Sequence, residues 1–275
     1  MLTFFNYTIA VIMTNFAPFL IAAGGEEHKG GAPHLPNAIT YLSEYIGSWS
    51  SEWVNVIYAF AVALFLIVIS MSVYRKRQMI PGPFQNAIEM MVERMYNFIY
   101  SILGDDAKKY VPFLGTLFFY ILVNNWIGMI PLGHSPSTSL SITASLAIVV
   151  FLYAQWTGIN RLGIGGYLHH LAGSPADVIS WCMVPLLFPL HIIGELSKPF
   201  SLALRLFGNI TGEDTLIAVF VGLGVAILAF SPVGVPFQIP FYFLGLLLST
   251  IQALVFTLLS TIYILLMLPH EEHAH

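Results

Sequence analysis

An all-α integral membrane protein is what the sequence predicts: about five membrane helices plus one interfacial amphipathic helix, the last two membrane helices long and steeply tilted as a hairpin. Three observations carry that expectation. Only 9% of the 275 residues are charged and 57% are hydrophobic, whereas a soluble domain carries about 25% charged residues. Apolar runs long enough to cross a bilayer recur along the chain. Within the fourth of them, polar residues keep helical register instead of breaking the run. The net charge of −4 is small and argues against a nucleic-acid partner.

Residues 1–23 are apolar and end in Ile21-Ala22-Ala23-Gly24, a pattern like a signal peptide with a small-residue cleavage site. No Lys or Arg precedes the run, so a retained first membrane segment stays open beside it. Residues 24–50 are polar, with a short surface helix expected near Tyr41–Ile46. Residues 1–50 thus form an N-terminal segment of their own, and residues 51–275 the membrane domain.

Val54–Val73 has no charge and is long enough to span about 30 Å of hydrocarbon as a helix. Arg75-Lys76-Arg77 follows, then Pro81 and Pro83. In Phe84–Leu103, Ile88, Met91, Met95, Phe98 and Ile99 recur at helical spacing with Glu89, Glu93 and Arg94 off the stripe, as in an amphipathic helix lying in the interface. Val111–Leu132 and Ser139–Trp156 are the next spans, the latter closed by Arg161 and Gly158, Gly163, Gly165 and Gly166. From Asp177 onward there are two long apolar blocks, 178–230 and 233–268, divided by Ser231-Pro232. At about 1.5 Å per residue either block is too long for one perpendicular crossing. Each crosses twice or is one tilted helix, and the polar register favours the tilted hairpin.

With spans alternating, Arg75, Lys76, Arg77, Arg94, Lys108, Lys109 and Arg161 fall on one side and only Lys29 on the other. The positive-inside rule puts the basic side, and the tail His270–His275, in the cytoplasm.

The chemistry is expected where charge lies inside the fourth apolar block. At about 100° per residue with His191 at 0°, Glu195 falls near 40°, Lys198 near −20°, Arg205 near −40°, Asn209 near 0° and Glu213 near 40°. One polar seam on an apolar helix should face protein or a water-filled cavity, because an ionisable group at membrane depth costs at least about 2.5–3.5 kcal/mol. Glu195 and Lys198 have a plain structural reading as an i,i+3 pair. Arg205 does not: Ser201, Leu202, Gly208 and Asn209 are its helical neighbours and none is acidic. It needs a carboxylate from elsewhere, from another chain if not from this one.

Ser197-Lys198-Pro199-Phe200-Ser201-Leu202-Ala203-Leu204-Arg205-Leu206-Phe207-Gly208-Asn209 resembles the signature of the ATP synthase subunit a family, whose core is S-L-x-L-R-L-F-G-N. Ile251-Gln252-Ala253-Leu254-Val255-Phe256 fits the Gln of that family's last helix, and Asn124-Asn125 with Pro131 resembles its third-helix pattern. The resemblance covers roughly residues 50–268. It implies the stator proton-channel subunit of an F-type ATP synthase, not catalytic by itself, in the bacterial inner membrane. Its partners would be the oligomeric ring subunit, a peripheral-stalk subunit and the lipid bilayer. The ion would be H⁺ in preference to Na⁺, and no cofactor is expected. Two half-channels would load and unload a rotating ring of carboxylates. Buried Arg205 would drive deprotonation, because a guanidinium favours the ionised carboxylate, and would block leak between them.

By position, Arg205 is the essential charge, Gln252 its partner on the last helix, and Asn209 and Ser201 line the cytoplasm-facing path. His191 stands where many relatives have Glu, and Glu195 and Lys198 complete the seam. Glu213 or Asp214 answers to the family's acidic site. Some relatives carry His at the position of Gly245, so the exterior-facing entry is expected to rest on His191 with Glu213 or Asp214.

Other signals are weak. His270-Glu271-Glu272-His273-Ala274-His275 misses H-E-x-x-H because residue 274 is Ala, so no metal site is expected. His169-His170 are expected in a surface loop, and Cys182 in packing. A self-contained ion-coupled secondary transporter is the main alternative, but transporters often show internal repeats and the two halves show none. An intramembrane enzyme built on His191 and Glu195 would lack a nucleophile.

Overall fold

The computed structural model describes residues 53–75, 78, 82–130, 133–173, 178–228 and 238–268. The expectations for residues 1–50, for Pro131, for Ser231-Pro232, for the tail and for the Cys182 side chain lie outside the described residues. Among them the regular structure is helical throughout: α1 (Val54–Arg75), α2 (Pro83–Leu103), α3 (Ala107–Ile127), α4 (Leu140–Leu171), α5 (Val178–Leu228) and α6 (Gln238–Leu266). Single 3₁₀ turns, Gly104–Asp106 and Pro136–Thr138, precede α3 and α4. Five stretches are long and apolar enough to cross a membrane: Val54–Arg75, Pro83–Ile127, Leu140–His169, Met183–Gly224 and Ile239–Leu266.

α1 is apolar all round and buries only Val54 and Val62, while Phe60, Leu64, Ile67 and Val68 stand more than half exposed. A helix apolar on every face suits lipid. Polar contacts tie it to the bundle: Tyr120 Oη donates to the Ala59 carbonyl at 3.4 Å, and His134 Nε2 meets Asn55 Oδ1 at 2.6 Å.

α2 buries the stripe read from its sequence, in part. Met95, Ile99 and Leu103 pack with Ala107, Tyr110 and Leu114 of α3, Ala154 of α4, and Ile264 of α6 with Leu268 just beyond it. Met91, on the same stripe, remains exposed. A second core joins four helices through Leu117 and Ile121 of α3, Val150 of α4, Leu202 and Leu206 of α5, and Phe256 of α6. On α6 the buried Thr257, Ser260 and Thr261 donate to the carbonyls of Ala253, Phe256 and Thr257 at 2.7–2.9 Å. Small hydroxyl side chains satisfied this way let membrane helices approach closely.

α4 runs further than expected. It does not stop at its glycines: Gly163 alone takes a left-handed conformation (φ 71°, ψ 167°), and the helix resumes to Leu171. His169 and His170 therefore lie on a helical segment and not in a loop. The physical reason is that only one of the four glycines adopts a backbone that breaks the helix.

α5 is the tilted helix the register favoured. Its 51 residues are one helix despite Pro185, Pro189 and Pro199, about 76 Å of length at 1.5 Å per residue, so it cannot stand along a bilayer normal. α6 returns antiparallel. Three contacts fix which helix ends coincide. Arg161 pairs with Asp106, joining the start of α3 to the kink of α4. Trp126 Nε1 donates to Thr250 Oγ1 at 3.1 Å, joining the other end of α3 to α6. His134–Asn55 then joins the start of α1 to that second end. Arg75, Lys108, Lys109 and Arg161 all fall at the first end.

Candidate functional site

Arg205 lies near the midpoint of α5 (Val178–Leu228), and Gln252 is the central residue of α6 (Gln238–Leu266). Arg205 is exposed on this chain, not buried as expected, and among the described residues it forms no ion pair. Ser201, Leu204 and Gly208, on the same stretch, are exposed as well, while Leu202, Ala203 and Leu206 turn inward. The guanidinium thus sits at the middle of an open face, one helix thick from the core. Gln252 is buried, and its Nε2 has no hydrogen-bond partner among the described residues. An orphaned buried amide donor is uncommon. Asn209, half-buried on the turn after Arg205, follows on the same seam.

Glu213 lies eight residues beyond Arg205. Its carboxylate accepts from Ser249 Oγ at 3.0 and 3.1 Å. Gly245 is what makes room for it: a Cβ there would come within 2.5 Å of Glu213 Oε1 and would strike the Met129 side chain. Polar groups continue from Ser249 toward the second end of the bundle. Its carbonyl accepts from Asn125 Nδ2 at 3.4 Å, and Asn125 Oδ1 accepts from Ser137 Oγ at 2.8 Å. Asn125, Ser137 and Ser249 are all buried. Buried polar side chains linked from helix to helix are expensive in an apolar core unless satisfied, and here they make a line from the carboxylate to the 3₁₀ turn Pro136–Thr138. Asp214 is half-buried, but it is Glu213 that holds the bond to α6.

On the other side of Arg205 stands a second polar group. Glu195 pairs with Lys198, and Gln155 of α4 donates from Nε2 to Glu195 Oε2 at 3.1 Å. Tyr167 donates to Gln155 Oε1. The plain i,i+3 reading of Glu195 and Lys198 is met. The residues that surround the pair escaped the sequence reading, because Gln155 and Tyr167 are neutral and lie forty and twenty-eight positions away.

His191 is exposed, and its Nδ1 lies 3.0 Å from the Leu187 carbonyl. Its ring is the neighbour a Cβ on Gly173 would meet, at 3.4 Å, so it sits beside the end of α4. The structure does not bring His191 together with Glu213 and Asp214. His191 and Glu213 are 22 positions apart on one unbroken helix, about 33 Å along its axis. The expected grouping of His191 with those acids is therefore corrected: His191 belongs to the Glu195–Lys198 side. Among the described residues no group of three His, Cys, Asp or Glu could hold a metal ion.

The family model described as ATP synthase A chain matches residues 55–265. A protein of Protochlamydia amoebophila called ATP synthase subunit a is 47% identical over 261 residues, 92% of this chain and 96% of its own length. Proteins with the same description from Oleidesulfovibrio alaskensis and Solidesulfovibrio magneticus are 37% and 35% identical, covering 89% and 90% of this chain and 99% of their own lengths. The chain belongs to the ATP synthase subunit a family. The family match takes in Arg205, Gln252, the whole polar seam of α5 and both polar groups that flank Arg205, together with Asn125, Ser137 and Ser249.

Proposed function

We propose that this family member is the proton-translocating stator subunit of a rotary F-type ATP synthase, with no catalytic site of its own. It forms two half-channels that meet at Arg205 and serve a rotating ring of carboxylates supplied by another chain. A peripheral-stalk subunit holds it against rotation, and ATP is made in the soluble sector. The observation that carries the reading is the placement of Arg205. It is a permanent cation at the centre of a long apolar helix, on an open face, with no carboxylate paired to it among the described residues and a separate polar group on either side.

The outer half-channel runs along Ser137, Asn125 and Ser249 to Glu213, with Asp214 beside it. A proton relay needs such groups within hydrogen-bond reach, directly or through water. The inner half-channel passes Asn209 and Ser201 toward His191, Glu195 and Lys198. A ring carboxylate stays protonated in lipid and ionises opposite the guanidinium, which favours the charged form. Arg205 separates the two paths, so a proton crosses only by riding the ring. Each charge carried down 100 mV releases about 2.3 kcal/mol, and rotation passes it on. The gathering of Arg75, Lys108, Lys109 and Arg161 at one end supports a cytoplasmic location for that end, with the C-terminus, in a bacterial inner membrane.

Solubilised in mild detergent, the chain should comigrate with an ATP-hydrolysing complex. A chain migrating apart from any ATPase under conditions that keep such complexes intact would point to a self-contained transporter.

A further inference from the structure

We propose that Gln155 and Tyr167 are positioning residues for the inner half-channel: they clamp the Glu195 carboxylate onto the Lys198 ammonium, so that the path beside Arg205 carries no uncompensated second cation. The proposal rests on the function proposed above. Its geometry spans three helices. Tyr167 donates to Gln155 Oε1, Gln155 Nε2 donates to Glu195 Oε2 at 3.1 Å, and Glu195 Oε1 receives the Lys198 ammonium. Both carboxylate oxygens are engaged. The Lys198 ammonium also lies 5.5 Å from the centre of the Tyr263 ring on α6, a distance at which a ring face attracts a cation.

Two features of α4 allow this clamp. In a straight helix Tyr167 would lie about 18 Å beyond Gln155, and no hydrogen bond could join them. The left-handed backbone of Gly163 (φ 71°) turns the chain so that it can. Gly158 leaves space for the Tyr167 ring, since a Cβ there would meet its Cδ2 at 3.3 Å and Met267 Sδ at 3.2 Å.

The reason a clamp is needed is electrostatic. Lys198 precedes Arg205 by seven residues, which is about 10 Å along α5 on the same face. That is no more than one Debye length in 0.1 M salt, and partly buried charges are screened less. The Lys198 and Glu195 side chains are only 21% and 18% exposed. Protons travel as cations, and a bare ammonium beside the guanidinium opposes their passage. An exposed i,i+3 pair holds its partner only weakly. A neutral donor reaching across from α4 fixes the carboxylate without adding charge, which Lys or Arg at position 155 could not do. Beside the pair is a cavity of about 10 Å³ lined by Gln155, Glu195, Lys198, Leu202 and Tyr263, the room of a single water.

The test is ATP-driven proton pumping in inverted membranes, normalised to assembled complex. Gln155→Leu and the nearly isosteric Tyr167→Phe should each slow pumping, by about threefold or more. Glu195→Gln, which leaves Lys198 bare, should slow it by about tenfold, and adding Lys198→Gln should recover at least about threefold of that loss. In that doubly neutral background Gln155→Leu should cost nothing further, because there is no charge left to align. Normal pumping in both Gln155→Leu and Tyr167→Phe overturns the proposal. So does a doubly neutral variant no better than Glu195→Gln, or an undiminished Gln155→Leu loss in that background, which would mean packing alone. Arg205→Ala is the control: if it pumps normally the function itself is wrong, and if it is inactive the Gln155 series judges the clamp alone.

Discussion

The acid on α5 and the glycine on α6 are one device. Glu213 occupies the space that a Cβ on residue 245 would need, so a side chain there would push the carboxylate from its present place beside Ser249. Gly245→Ala should therefore displace Glu213 from Ser249 and slow ATP-driven pumping by about tenfold or more. Gly115→Ala, on α3 with open space around it, is the comparison and should have little effect. Equal pumping in the two variants would remove Glu213 from the outer path. Arg205, Lys198 and Glu213 were legible in the sequence because a charge in an apolar block announces itself energetically. Which of Glu213 and Asp214 bonds to Ser249 of α6 was not, since adjacent helical residues point about 100° apart and only the neighbouring helix decides between them. Gln155, Asn125, Ser137 and Ser249 were illegible as a site for a different reason. They are neutral, common in membrane helices, and brought together only by packing between segments up to 124 positions apart.

At the scale of elements, α5 could be read as one helix because its six seam residues, His191 to Glu213, hold a single register across Pro199. Membrane helices tolerate proline when neighbours re-satisfy the freed carbonyls. The kink in α4 could not be read, because four glycines within nine residues look alike and backbone conformation distinguishes only Gly163. Alanine at 163 would be held at φ 71°, ψ 167°, a region essentially confined to glycine and costing about 1–3 kcal/mol for other residues. Gly163→Ala should accordingly lower the temperature at which the detergent-solubilised complex loses activity. No change would mean that the kink relaxes freely. The unbroken α5 also separates His191 from Glu213. His191→Cys and Glu213→Cys, each in a Cys182→Ser background, should react with an impermeant thiol reagent from opposite sides of the membrane. Labelling of both from one side would contradict the single-helix path.

For the whole molecule, the tie between Arg161 and Asp106 at one end and the ties of α1 and α6 to the far end of α3 fix which ends of these helices coincide. The basic residues gather at one end, so Gln78→Cys in the same background should label only from the cytoplasm. Labelling of that residue only from outside would invert the topology and exchange the two half-channels. The central claim is that a guanidinium at 205, and not merely a positive charge, couples proton flow to rotation. Guanidinium has a pKa above 12 and keeps its proton, whereas an ammonium is a compact charge that can give its proton up when buried. A Lys at 205 could hand its proton to the ring carboxylate, leaving both neutral and letting the site pass without releasing a proton to the channel. The most direct measurement is ATP synthesis driven by an imposed proton gradient in membranes carrying Arg205→Lys, with assembly verified. The account predicts that synthesis is abolished although the complex assembles, and synthesis near the wild-type rate would contradict it.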